Sequence, residues 1–132
     1  MNMKFGKDMK AVLAQIERIN LDLANLNYDL QLHRERQAFL EANLTFAILD
    51  AKHPDTGKTL YSNETAREAA LKLRLHEHEE WQTLRGAIFG AERDRAKLLA
   101  QLEQLRSLFK LELLERQDAI ATAMANSLAV LS

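Results

Sequence analysis

The chain has no cysteine, one proline and four glycines among its 132 residues. Without cysteine there can be no disulfide, thiolate metal ligand or thiol nucleophile, a usage that fits a reducing compartment. Scarce proline and glycine leave few sites for tight turns, so the regular elements must be long. No stretch approaches the eighteen or so apolar residues of a membrane span, and Met1 to Lys10 holds no apolar run of signal-peptide length. Charge of one sign is not in excess either: 18 lysines and arginines face 19 aspartates and glutamates, for a net charge of -1. Nothing therefore draws the whole molecule to nucleic acid or an anionic membrane, and such binding would need a local patch. The expectation is a soluble, cytoplasmic, all-helical protein with no membrane segment and no cofactor.

What is present is leucine at helical spacing. Asp8 to Ala51 carries no glycine or proline and reads as one helix, with Asp8 as its N-cap after a short lead-in loosened by Gly6. One face holds Val12, Ile16, Ile19, Leu23, Leu26, Leu30, Leu40 and Leu44, alternately four and three apart over most of its length, as a coiled-coil seam requires. The opposite face holds Leu21, Tyr28, Leu32, Phe39, Phe46 and Leu49. A helix that is apolar on both sides needs covering on both sides.

His53-Pro54-Asp55-Thr56-Gly57 closes this helix, since proline disfavours helix in the residue before it and Asp-Thr-Gly supplies turn chemistry. A loop over 52–62 leads to a short helix over 63–75, capped by Ser62 or Asn63, with Ala66, Ala69, Ala70 and Leu73 on its small apolar side. The run His76-Glu77-His78-Glu79-Glu80 lacks periodic apolar content and reads as a break. A long helix over 79–128 follows, with Leu84, Ile88, Ala91, Leu98, Leu102, Leu105, Phe109, Leu113, Ile120 and Met124 at seam spacing.

The expected architecture is thus a single all-α domain over 1–132: a long antiparallel, coiled-coil-like hairpin with a short third helix between the two long ones. One register sets Leu44 opposite Ile88, Leu40 opposite Ala91, Leu30 opposite Leu102, Leu26 opposite Leu105 and Leu23 opposite Phe109. It brings the polar seam residues His33 and Gln37 beside Arg95 and Leu98. The short helix is expected to cover part of the Phe39, Phe46 and Leu49 face, which leaves Leu21, Tyr28, Leu32 and Phe39 as candidate partner-binding residues. The apolar C-terminus, Ile120 to Leu131, is a second uncovered surface. Both point to a homo-oligomer, a protein partner, or both.

Other constellations favour plain structural readings. Gly57-Lys58-Thr59 resembles the tail of a phosphate-binding loop, but Lys52 stands where that loop needs glycine, and no strand precedes it. Asp55-Thr56-Gly57 matches the short aspartic-protease signature, which acts only as two copies on β-structure. His76 and His78 are two apart, a spacing that points side chains about 200° from one another on a helix, so a solvated junction is favoured over a metal site. In the expected register, Arg34 and Arg36 lie near Arg95 and Lys97, and with His33 could bind phosphate. Glu35, Glu92 and Asp94 nearby favour ordinary ion pairing instead. Trp81, Phe89 and Tyr61 read as packing residues around the loop end. No catalytic set can be assembled, and the expectation is not an enzyme.

The segment Leu60-Tyr61-Ser62-Asn63-Glu64-Thr65-Ala66-Arg67-Glu68-Ala69-Ala70 follows a Pro-Asp-Thr-Gly-Lys turn and lies between two long Leu/Glu/Arg-rich helices. In this layout the chain resembles small uncharacterised helical-hairpin proteins of bacteriophages and other mobile elements. The resemblance implies an accessory protein that acts by binding, in recombination or against host nucleases and defence systems. It transfers no catalytic residue.

Overall fold

The computed structural model describes residues 7–131. Three helices account for nearly all of them, in the order α1 (Lys7–Asp50), α2 (Glu64–Glu77) and α3 (Glu79–Leu131). No strand occurs among the described residues, so the protein is all-α. Apart from Lys7, which begins α1, the expected lead-in lies outside the described residues.

The chain forms two compact units. One runs from Leu26 to Asp94 and contains the end of α1, all of α2 and the start of α3; the other combines α1 up to Asn25 with α3 from Arg95. In the first unit Leu30, Leu40, Ile48 and Ile88 are buried. Leu26, His33, Gln37, Leu44, Leu84 and Ala91 are half-buried along the same helices. In the second, Met9, Val12, Leu23 and Leu102 are buried, and Ile16, Ile19, Leu98, Leu105 and Phe109 are half-buried. The four-three spacing of α1 thus selects the inward positions, and each fully buried aliphatic side chain contributes about 1.5–3 kcal/mol.

The expected pairing of the seams is corrected within the Leu26–Asp94 unit. The Trp81 indole N–H donates to Glu41 Oε1 at 3.0 Å, and Arg36 and Arg34 reach Glu80 and Glu92. The α3 segment beside Glu41 therefore lies near Trp81 and not near Ala91. The ten helical positions between Trp81 and Ala91 span roughly 15 Å, more than side chains can bridge. A heptad seam offers a similar face every seven residues, so several registers look alike until a specific contact selects one.

Between α1 and α2 the backbone folds into a tight ladder. Leu60 N–H donates to the Ala51 carbonyl at 2.9 Å, His53 N–H to Lys58 at 2.8 Å and Gly57 N–H to His53 at 2.9 Å, with Lys52 and Thr59 paired antiparallel. Gly57 sits at φ 69°, a left-handed conformation that glycine adopts without a Cβ penalty. Asn63 then caps α2, its side chain accepting from Ala66 N–H at 2.8 Å.

α2 and α3 are separated by His78 alone, which leaves helical geometry at φ -83°, ψ 109°. It closes α2, its N–H donating to the Leu75 carbonyl at 3.2 Å, and opens α3, its Nδ1 accepting from Trp81 N–H at 3.1 Å. Gln82 adds a side-chain bond to Leu75 O at 3.2 Å. One residue so satisfies backbone groups at two helix ends.

Candidate protein-interaction surface

The outer face of α1 is uncovered. Leu21, Tyr28, Leu32, Phe39, Phe46 and Leu49 are all exposed, from 46% for Leu32 to 73% for Phe46. Of the Phe39, Phe46 and Leu49 face, only Leu49 borders the cleft with α2, and all three remain exposed. Glu64, Arg67, Glu68 and Leu71 of α2 face Thr45, Ile48 and Leu49 across a narrow cleft of about 130 Å³. Ile48 is left only 2% exposed there. α2 therefore extends the burial of the inner seam. Ala66, Ala70, Leu71 and Leu75 on its inward side are half-buried, and Phe46 stays exposed.

Phe39 lies under a cation. The Arg36 guanidinium lies 5.4 Å from its ring centroid and donates through Nε and an Nη to both oxygens of Glu80, at 2.8 and 3.2 Å. The hydrogen bond and charge of Glu80 hold Arg36 above its ordinary pKa. The hydrogen bond from Arg36 in turn holds the Glu80 carboxyl below its ordinary range. A cation over an aromatic face, fixed by a forked carboxylate, gives the outer stripe a defined polar margin. Sequence reasoning missed this assembly. Its signal was the three-residue spacing of Arg36 and Phe39. A second cation, Arg85, lies 5.8 Å from the Trp81 ring and 5.6 Å from that of Phe89. Phe89 is exposed, whereas Trp81 is half-buried over its bond to Glu41. Tyr61 is half-buried, and its carbonyl accepts from Arg67 at 3.5 Å.

The proposed anion-binding residues fall in both units. Arg34 and Arg36 lie in the Leu26–Asp94 unit, paired with Glu92 at 2.7 Å and Glu80 at 2.8 Å. His33 is half-buried on the inner seam of the same unit. Arg95 and Lys97 belong to the other unit. Among the described residues no group of three or more histidines and acids is placed to hold a metal ion. His78 is engaged at the α2–α3 joint. Gly57-Lys58-Thr59 forms part of the backbone ladder after α1.

In the unit that holds the chain ends, an open groove of about 500 Å³ runs between Arg18, Asp22 and Ile19 of α1 and Leu98, Gln101 and Gln104 of α3. Its mixture of amides and leucines presents no nucleophile beside a base. Beyond the buried Glu112, every described α3 residue from Leu113 to Leu131 is exposed, including Ile120, Met124, Leu128, Val130 and Leu131. No helix of the described residues is long and apolar enough to cross a membrane. No family model, curated protein or solved structure matches the chain.

Proposed function

We propose that this is a non-enzymatic helical interaction protein, an accessory protein of a phage or mobile element that acts by binding in the cytoplasm, in recombination or on a host nuclease or defence system. In this reading α1 and α3 form one long coiled-coil-like hairpin that displays the outer stripe of α1. The observation that carries it is the exposure of Leu21, Tyr28, Leu32 and Phe39 on one helix whose opposite side is buried. Exposed apolar stripes of this size mark association sites, and tyrosine is enriched where binding energy concentrates. The phage setting rests on the resemblance around Leu60–Ala70 alone.

The reading of His33, Arg34, Arg36, Arg95 and Lys97 as a nucleic-acid or phosphate site gains no support from Arg34 and Arg36, whose guanidinium groups already hold carboxylates. The test is to place like charges on the stripe. Tyr28→Glu with Leu32→Glu should abolish association, measured by light scattering and by pull-down with the purified partner, while circular dichroism stays helical. Association that survives both changes refutes the reading.

A further inference from the structure

We propose that the occupant of the outer stripe is a second copy of this chain, α1 lying antiparallel on α1 with the two-fold axis passing between Tyr28 and Leu32, level with residue 30. The inference rests on the interaction reading and uses only α1, one unbroken helix from Lys7 to Asp50. Read by position, the stripe is a second complete heptad seam. Ala11, Ala14, Arg18, Leu21, Asn25, Tyr28, Leu32, Glu35, Phe39, Ala42, Phe46 and Leu49 follow one another at alternating spacings of three and four. A sustained pattern of this kind specifies a helical partner.

The seam is complementary to itself. Folded back about the level of residue 30, Tyr28 meets the partner's Leu32, and Leu21 meets the partner's Phe39. Asn25 meets the partner's Glu35, so the two polar residues at the centre bond to each other. Toward the ends large residues meet small ones: Phe46 lies on the partner's Ala14 and Leu49 on the partner's Ala11. Arg18, opposite the partner's Ala42, can lay its stem on the apolar surface with its charge in water. On one flank Asp22 faces the partner's Arg36, which also holds Glu80, while Asp29 faces its own copy beside the axis.

Neighbouring registers lose this match. A slide of one heptad one way sets Glu35 against the partner's Leu32 and Asn25 against the partner's Ala42. The opposite slide takes Phe46 to the first residue of the partner's α1 and Leu49 past it. The area suffices as well. Six large side chains per copy, each with roughly 100 Å² to bury out of the 150–250 Å² of a full aromatic, give a total of about 1,200 Å², the lower bound for a specific dimer.

The experiment uses the absence of cysteine. Gln31→Cys, Ala24→Cys and Ala38→Cys place single thiols at exposed positions flanking the stripe. With a short bis-maleimide linker, Gln31→Cys should join to its own copy at micromolar concentration. Ala24→Cys and Ala38→Cys should join efficiently only when mixed, at least about tenfold above either alone, because each lies roughly 20 Å from its own copy along the axis. Wild-type chain should run as a dimer in sedimentation. Efficient self-linking by all three variants would mean a parallel pair and overturns the register; a dimer that links none of them places the interface elsewhere and overturns it too. A monomer overturns the self-pairing. If that monomer still loses binding to a purified host protein on Tyr28→Glu with Leu32→Glu, only the identity of the occupant has failed, and the interaction reading stands.

Discussion

α1 carries two apolar faces of similar length and opposite fate. The inner one holds Met9, Val12, Leu23, Leu30, Leu40 and Ile48, all buried. The outer one holds Leu21, Tyr28, Leu32, Phe39, Phe46 and Leu49, all exposed. Their chemistry differs in a way that periodicity does not register. The inner face is aliphatic, with His33 and Gln37 as its polar members, whereas half of the outer six are aromatic. Aliphatic side chains pack to crystal-like density in a fixed interior. Aromatic ones supply large, rigid contact area at association surfaces. One helix thus carries a buried face and an exposed face that differ in residue type.

The comparison is broken most directly by the same truncation on each face. Leu30, 2% exposed, sits at the centre of the inner seam, and Leu30→Ala should cost about 2–5 kcal/mol through lost burial and the cavity left behind. Phe46→Ala removes a larger side chain from the outer stripe, yet in dilute solution it should change stability by no more than about 0.5 kcal/mol. Urea unfolding at low protein concentration measures both. A Phe46→Ala loss as large as that of Leu30→Ala would show that the outer face is part of the folding core.

The inner face could be read from the sequence because its spacing depends only on the helical repeat. Val12, Ile16, Ile19, Leu23, Leu26, Leu30, Leu40 and Leu44 all turn inward. The partner opposite each could not be read, since a heptad seam slides onto itself and the selecting contact, Trp81 to Glu41, is a single hydrogen bond between distant residues. Position also outranks polarity at the far end of α3. Leu113 was expected inward, but Glu112 is the buried residue and Leu113 is exposed. The three-four rhythm from Leu102 through Leu105 and Phe109 arrives at residue 112, whatever stands there. The His76–Glu80 run showed no period because its role is local: His78 caps two helices with backbone bonds and its own ring, which no apolar pattern announces. The outer stripe was legible as apolar. That α2 borders it only at Leu49 was not, because Ile48 lies only two residues from Phe46 and α2 follows Ile48.

A middle-sized effect belongs to the joint where α3 begins. His78→Ala removes the acceptor of the Trp81 N–H, and losing such a cap costs about 0.5–2 kcal/mol. His78→Asn, which keeps an acceptor at the cap position, should recover most of it. The comparison sharpens if the loss loosens the inner face alone. Tryptophan fluorescence should then report a freer Trp81, whose indole bonds to Glu41, while association through the outer stripe is unchanged.

The smallest effect lies at the margin of the outer stripe, in the Arg36–Glu80 pair beside Phe39. The Glu80 carboxyl is held below its ordinary range, first by the hydrogen bond from Arg36. A group whose folded pKa is depressed contributes stability that is present above its unfolded pKa. That contribution is lost as pH falls through the folded value. Glu80→Gln should therefore differ from wild type at neutral pH, and the two should converge in acid below the depressed Glu80 value. Both partners are about half exposed, at 48% each, so added salt should shrink the difference as well. An NMR titration of the Glu80 carboxyl gives the direct check: its midpoint should lie below the usual glutamate range and return toward it in Arg36→Met. An unshifted midpoint in wild type would mean that the fork is not held in solution, and that Arg36 is free to leave Phe39 when a partner docks.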